Sequence, residues 1–312
     1  MNHDFLDLSA LSKESARIII DEAHARKAAR HGFAKAQVDA DAPLAGHMLA
    51  MIFDMPSTRT RLSFDLAMRQ LGGQTMMINQ SESQLGRGES IADTARVISR
   101  FSDVVMIRTG SHKNIEDFST HASVPVINGL TSFSHPCQIM ADVQTFEEHK
   151  GPVKGKKIAW FGDGNNVAVS FIHAAVLFDF HLVLAVPEAF MVPEHVLAWA
   201  RAQGGQIDIT QDASAAADGA SALVTDCWVS MADDPETSAA RMAAFAAYRV
   251  TSDLMQKGDD PIFMHCLPAY RGKEVSEDVI DGVNSVIFDE AENRLHAQKA
   301  ILTYCLGKSH GA

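Results

Sequence analysis

Five consecutive residues, Ser57-Thr58-Arg59-Thr60-Arg61, combine hydroxyl donors with two guanidinium groups directly after Pro56. Pro56 and the apolar spacing beyond it place the run at the start of a helix. A helix N-terminus offers unpaired backbone N–H groups and partial positive charge, the hydroxyls add donors, and Arg presents a planar fork that matches phosphate oxygens. The run therefore reads as a phosphate cradle, although a helix N-cap followed by surface arginines would carry the same letters. Arg108 closes an apolar stretch at 104–107, and His135-Pro136-Cys137-Gln138 follows another at 124–127. An Arg and a His converging on one carbonyl oxygen would stabilise the charge that develops there in acyl transfer, and Gln138 could orient a neighbouring amide. Each of these residues also has a plain structural reading when taken alone. A further run, Gly162-Asp163-Gly164-Asn165-Asn166, has the outline of a dinucleotide-binding turn. It lacks the third glycine of that pattern, and no acidic residue ends the next apolar stretch, which runs into Pro187.

Positioning these groups requires strands that alternate with helices. Residues 6–8 suggest a short entry, 15–29 an amphipathic helix, and 47–53 a buried strand. The helix after Pro56 carries Phe64, Ala67, Met68 and Leu71 at helical spacing and stops at Gly72-Gly73, before a strand at 75–78. Strands are also expected at 104–107 and 124–127. The polar, turn-rich 151–157 marks a domain boundary just before it, and a second series follows with strands at 158–161, 181–186, 222–225, 261–264 and 286–289. This rhythm implies an α/β chain of two mainly parallel sheets with helices on both faces, where ligands bind beyond the carboxyl ends of strands.

With 312 residues the chain exceeds the size at which one hydrophobic core usually stops growing, so two domains are expected. Its 46% hydrophobic and 21% charged residues argue against disorder or a fibrous repeat. The 27 Lys and Arg against 39 Asp and Glu give a net charge of -12, which would repel nucleic acid and anionic lipid, so an anion must bind in a local basic pocket. No segment reads as a signal peptide or a bilayer span, and a cytoplasmic protein with no membrane or nucleic-acid partner is expected. The cysteines at 137, 227, 266 and 305 lack CxxC or zinc-site spacing and read as reduced thiols.

The order of these motifs resembles the transcarbamoylase family, which includes aspartate and ornithine types, and the resemblance spans essentially the whole chain. It implies two Rossmann-like domains with the active site in the interdomain cleft: 1–148 for carbamoyl phosphate, with a C-terminal helix at 291–312 packing back on it, and 149–290 for the acceptor. It assigns Ser57, Thr58, Arg59 and Thr60 to the phosphate, and Thr60, Arg108 and His135 to the carbonyl oxygen. Pro136, Cys137, Gln138, Cys266, Leu267 and Arg294 complete the carbamoyl phosphate site, with Gln84 lent by a neighbouring subunit of a homotrimer.

Three segments resemble the ornithine branch: Asp226-Cys227-Trp228-Val229-Ser230-Met231, His265-Cys266-Leu267-Pro268, and the Gln84 loop at 83–90. Asn166, Asp226, Ser230 and Met231 would then hold L-ornithine, whose neutral δ-amine attacks carbamoyl phosphate to give citrulline and phosphate. No metal, cofactor or covalent intermediate is implied. Asp226 and the Cys266 thiolate are candidates for managing the amine's proton, Cys266 acting electrostatically. Ala232 and Tyr270 depart from the commonest pattern, where Gly and His are usual, and the first bears on acceptor choice because Ala adopts positive φ less readily than Gly. The alternative acceptors are putrescine or an N-acylated ornithine. A nucleotide-dependent oxidoreductase and an inactive binding protein are rivals from other classes.

Overall fold

A computed structural model describes residues 3–79, 88–229 and 235–309. The chain divides into two compact units, Met1–Gln144 with Glu292–Ala312, and Thr145–Ala291. In the first unit β1 (Met48–Phe53), β2 (Gln74–Asn79), β3 (Val104–Arg108) and β4 (Val126–Leu130) form a parallel sheet of order β2-β1-β3-β4. The central strands β1 and β3 are buried almost throughout, as a sheet covered on both faces requires. The helices are α1 (Lys13–Ala29), α2 (Thr58–Gln70), α3 (Ile91–Ile98), α4 (His112–His121) and α5 (Pro136–Lys150). Helix α2 buries Thr60, Phe64, Ala67 and Met68 on one face. Gly72 ends it at φ 89°, a left-handed conformation that Gly adopts without strain. The strand order reverses beside β1, so the segment after β1 and the end of β3 occupy the ligand-binding edge of this topology.

In the second unit β5 (Lys157–Phe161), β6 (His181–Ala185), β7 (Ile207–Thr210), β8 (Ala222–Thr225) and β9 (Ile262–His265) form a parallel sheet of order β7-β6-β5-β8-β9. Helix α6 (Asn166–Phe178) is buried from Val167 to Phe178, so its apolar surface is continuous rather than one-sided. It starts at Asn165, whose side chain caps the N–H groups of Val167 and Ala168, and ends at Asp179 in the left-handed region. Helices α7 (Glu194–Ala202), α8 (Ala213–Ala217), α9 (Pro235–Phe245), α10 (Ser252–Met255) and α11 (Glu277–Ile280) follow, and α12 (Ile287–Cys305) begins in this unit and from Glu292 onward belongs to the first. The order reverses between β5 and β8, which directs attention to Gly162 through Asn166, to Asp226, and to Cys266 after β9.

The expected two-unit α/β architecture is present, with four local differences. The strand expected at 124–127 begins at Val126 instead, because Pro125 has no N–H and serves the ladder only by accepting from Val105 N. Strand β7 was not anticipated; its four residues are only partly buried and give little apolar signal. The segment expected as a strand at 286–289 opens α12, and only Ser285 bridges to Phe263. A short apolar run fits either element, and Asp289 and Glu290 in the first turn favour the positive end of a helix. The unit boundary falls within α5 rather than at its end. Among the described residues no helix is long and apolar enough to cross a membrane.

Candidate active site

In the first unit, Ser57 is the N-cap of α2 but makes no side-chain capping bond, so its hydroxyl is not committed to the helix. Thr58 is exposed and Arg59 half-buried, whereas Thr60 is fully buried. The Thr60 hydroxyl accepts from Arg108 Nη1 at 3.1 Å and from Arg294 Nη2 at 2.8 Å. Arg294, on α12, also donates to Gln138 Oε1, and Gln138 Nε2 donates to Asp142 Oδ1 at 2.7 Å. Two guanidinium groups on one buried hydroxyl concentrate positive charge within a chain whose net charge is -12, giving the local basic site that an anion requires. Arg61 turns elsewhere: it lies 4.7 Å from the Phe53 ring centroid and donates to Asn79, so its visible role is structural.

His135 is 4% exposed, and burial, followed by Arg294 and Arg108, holds its pKa well below 6.5. It is therefore a neutral imidazole at pH 7, able to donate an N–H to a carbonyl oxygen without adding a third cation. Pro136 occupies the first position of α5, where its missing N–H costs nothing, and the His135 carbonyl accepts from Gln138 N. Cys137 faces away from this chemistry. Its thiol donates to the Asn128 carbonyl at 3.2 Å, and burial pushes it up to about 12, so any contact with ligand falls to its backbone.

A pH dependence follows from these histidines. Burial, then Lys299, Lys27, Arg30 and Lys35, lowers His296 to about 3. Both His135 and His296 take up protons more readily in the unfolded chain, so their contribution to stability is present above pH 6.5 and is lost as pH falls toward their folded values. Each should cost about 1.4 kcal/mol per pH unit within its window. Urea unfolding at pH 7.5 and 5.5 checks this, and His296→Gln should lessen the difference between the two.

In the second unit, Asp226 follows β8 and gathers three donors. Asn165 Nδ2 lies 2.9 Å from its Oδ2, while Cys227 N at 2.7 Å and Cys266 Sγ at 3.2 Å donate to its Oδ1. Cys266 Sγ thus lies directly against the Asp226 carboxylate. Asn165 is not singled out by the sequence; its pairing with a residue 61 positions away becomes visible only when β5 and β8 lie side by side. Asn166 is half-buried as the first residue of α6.

The turn beyond β9 is held from inside. Buried His265 accepts from Leu267 N through Nδ1 at 2.9 Å and places Nε2 3.4 Å from Glu274 Oε1, while its backbone N donates to Glu290. Leu267 takes a φ of 60°, the type of backbone strain that persists where surrounding contacts enforce it. Asp226, His265 and Cys266 place ligand-capable atoms within 4.8 Å of one another, but the histidine ring is already engaged by Leu267 and Glu274.

Close packing explains the glycines at 162 and 164. A Cβ on Gly162, whose φ is 119°, would lie 2.7 Å from Trp228 Nε1, and one on Gly164 would lie 2.4 Å from Val192 N. These glycines admit neighbouring protein, which removes the main support for a nucleotide-binding turn. Gln84, Ser230, Met231 and the departure at Ala232 lie outside the described residues.

Residues 3–148 match the carbamoyl-P binding domain of aspartate/ornithine carbamoyltransferase, and residues 154–305 match its Asp/Orn binding domain. The chain belongs to the aspartate/ornithine carbamoyltransferase family. Within that carbamoyltransferase family it is 54% identical to the ornithine carbamoyltransferase of Agrobacterium fabrum, over 97% of each chain. It is 55% identical to that of Rhizobium johnstonii, over 97% of this chain and 98% of the relative. Among solved structures, ornithine carbamoyltransferase from Pyrococcus furiosus superposes with a TM-score of 0.92 at 44% identity, covering 98% of this chain and 97% of the other.

Proposed function

We propose that this enzyme transfers the carbamoyl group of carbamoyl phosphate to the δ-amine of L-ornithine, giving L-citrulline and phosphate. The observation that carries the reading is the convergence of Arg108 and Arg294 on the Thr60 hydroxyl. Ser57, Thr58, Arg59 and the first N–H groups of α2 hold the phosphate. Thr60, Arg108 and neutral His135 polarise the carbonyl oxygen, so the charge formed there as the amine attacks meets donors already in place. Departure of phosphate is favoured by the same cations. Gln138 and the backbone of Pro136, Cys137, Cys266 and Leu267 orient the carbamoyl nitrogen. The domain assignment belongs to the same proposal, with 1–148 and the C-terminal helix serving carbamoyl phosphate and 149–290 serving ornithine.

Asp226 provides the carboxylate for an ammonium group of ornithine, supported by the donors that fix its two oxygens. Asn166, Ser230 and Met231 complete the acceptor site. The attacking amine must be neutral, and its reference pKa of about 10.4 means that a proton has to leave before attack at pH 7. Much of the acceleration comes from holding the two substrates in attack geometry.

A homotrimer in which Gln84 serves a neighbouring site and a cytoplasmic location are part of this reading. The edge strand β2 with exposed Met76 and Met77, and exposed Leu62 on α2, supports self-association. Four free cysteines suit a reducing compartment. Citrulline formation from carbamoyl phosphate and ornithine, beside putrescine, N-acetylornithine and aspartate, tests the reaction. Turnover confined to ornithine is the expected result. Preference for another amine would overturn the acceptor assignment and leave that of the first unit, and no turnover with any acceptor would overturn both.

A further inference from the structure

Helix α2 begins at the phosphate cradle, and α12 is joined to it at two separate places. Near its start, Thr60 accepts from Arg294. At its last residue, Gln70 Oε1 accepts from Lys299 Nζ at 3.1 Å. Lys299 is fully buried, and its ammonium also lies 2.5 Å from Asp39 Oδ2. Asp39 is a hub: Arg30 Nη1 lies 2.5 Å and Arg26 Nη1 3.4 Å from its oxygens, and its backbone N donates to the Gln70 carbonyl. Helix α1 supplies Arg26 and, as its C-cap, Arg30, and its Lys27 donates to Asn293 Oδ1 at 2.7 Å, one residue before Arg294. Burial brings the Lys299 amine down to about 8 while Asp39 opposes that fall, so the ion pair stands at neutral pH.

A buried ammonium is costly unless its partners are well placed, and apolar side chains would fill the same volume at no such cost. What the charged arrangement adds is a single relative setting of α2 and α12, because every partner of Lys299 has a fixed direction. We infer that Lys299, with Gln70 and Asp39, is a positioning residue for carbamoyl phosphate binding, setting Arg294 against Thr60 through the α2–α12 pairing. The inference rests on the proposed role of Arg294. Lys299 itself touches no substrate; it acts by keeping a guanidinium fork where the anion needs it, and displacements of about 1 Å are enough to matter at such a site.

The test uses the full chain with Lys299→Met and, as a milder change that leaves the Lys299–Asp39 pair in place, Gln70→Met. Carbamoyl phosphate binding is measured by calorimetry without ornithine, and both KM values and kcat by citrulline formation. Lys299→Met should weaken carbamoyl phosphate binding about five- to tenfold and raise its KM in parallel, with the KM for ornithine changed less than about twofold. Gln70→Met should weaken the same binding about two- to threefold. A folded variant of either kind with a lowered Tm and unchanged affinity for carbamoyl phosphate overturns the inference, since that is what a purely structural strap would give. If Lys299→Met does not fold, Gln70→Met decides by the same criterion. Failure of the wild-type chain to bind carbamoyl phosphate would instead overturn the reading of the site, and the inference with it.

Discussion

Arg108→Met should lower kcat about 10²- to 10³-fold, the loss expected when one donor to a developing oxyanion is removed. Methionine fills much of the same volume, so the change removes charge and directed N–H groups more than packing. Thr60 would retain Arg294 as a donor, 2.8 Å away, and the first N–H groups of α2 would be untouched. Carbamoyl phosphate should therefore still bind, with affinity reduced about tenfold by loss of one charge-assisted contact of about 1.5 kcal/mol. The larger loss should fall on kcat, because Arg108 and neutral His135 meet charge that appears only as the carbonyl is attacked. Steady-state citrulline formation combined with calorimetry separates the two effects. A variant with nearly normal kcat and a raised KM for carbamoyl phosphate would show that Arg108 only holds phosphate.

The legible parts of this chain were those in which local chemistry and topology agree. Hydroxyls and arginines following Pro56 pointed to a helix start after a strand, and α2 begins at Thr58. Strand β8 was readable to the residue because Ala222 to Thr225 is uniformly buried between turn residues. Other features depend on partners distant in sequence. The place of Thr60 as the shared acceptor of Arg108 and Arg294 spans separations of 48 and 234 residues, which no local pattern encodes.

Asn165 and Asn166 are adjacent amides, and only the direction of α6 shows that Asn165 both caps the helix and supports Asp226. Cys137 sits between two candidate site residues, yet the turn of α5 sends its thiol to β4. The apolar run at Val286 misled for a related reason. Its length suits a strand or a buried helical turn; Phe263 pairs with Ser285 alone, and Asp289 and Glu290 in the first turn favour the helix.

Asp226→Asn separates the work of the two units. It preserves shape but removes the negative charge, and the new amide keeps an acceptor oxygen on one side while its NH2 faces a donor on the other, either Asn165 or the pair Cys227 and Cys266, that a carboxylate had satisfied. Loss of one partner of a desolvated charge pair costs about 3–5 kcal/mol, so kcat/KM for ornithine should fall at least about 10²-fold. Carbamoyl phosphate affinity should change less than about twofold, because the side chains assigned to it, Thr60, Arg108, His135, Gln138 and Arg294, all belong to the first unit, and Cys266 and Leu267 contribute only backbone. Cys266→Ala should cost less, about tenfold, since the thiol is one donor among three to Asp226. Equal loss of affinity for both substrates in Asp226→Asn would refute this division of labour. The pH profile then distinguishes the two tasks open to the carboxylate. If Asp226 grips an ammonium that stays charged, Asp226→Asn should retain the wild-type rise of kcat/KM with pH, which reflects deprotonation of the attacking amine; if it takes the amine's proton, that dependence should change shape.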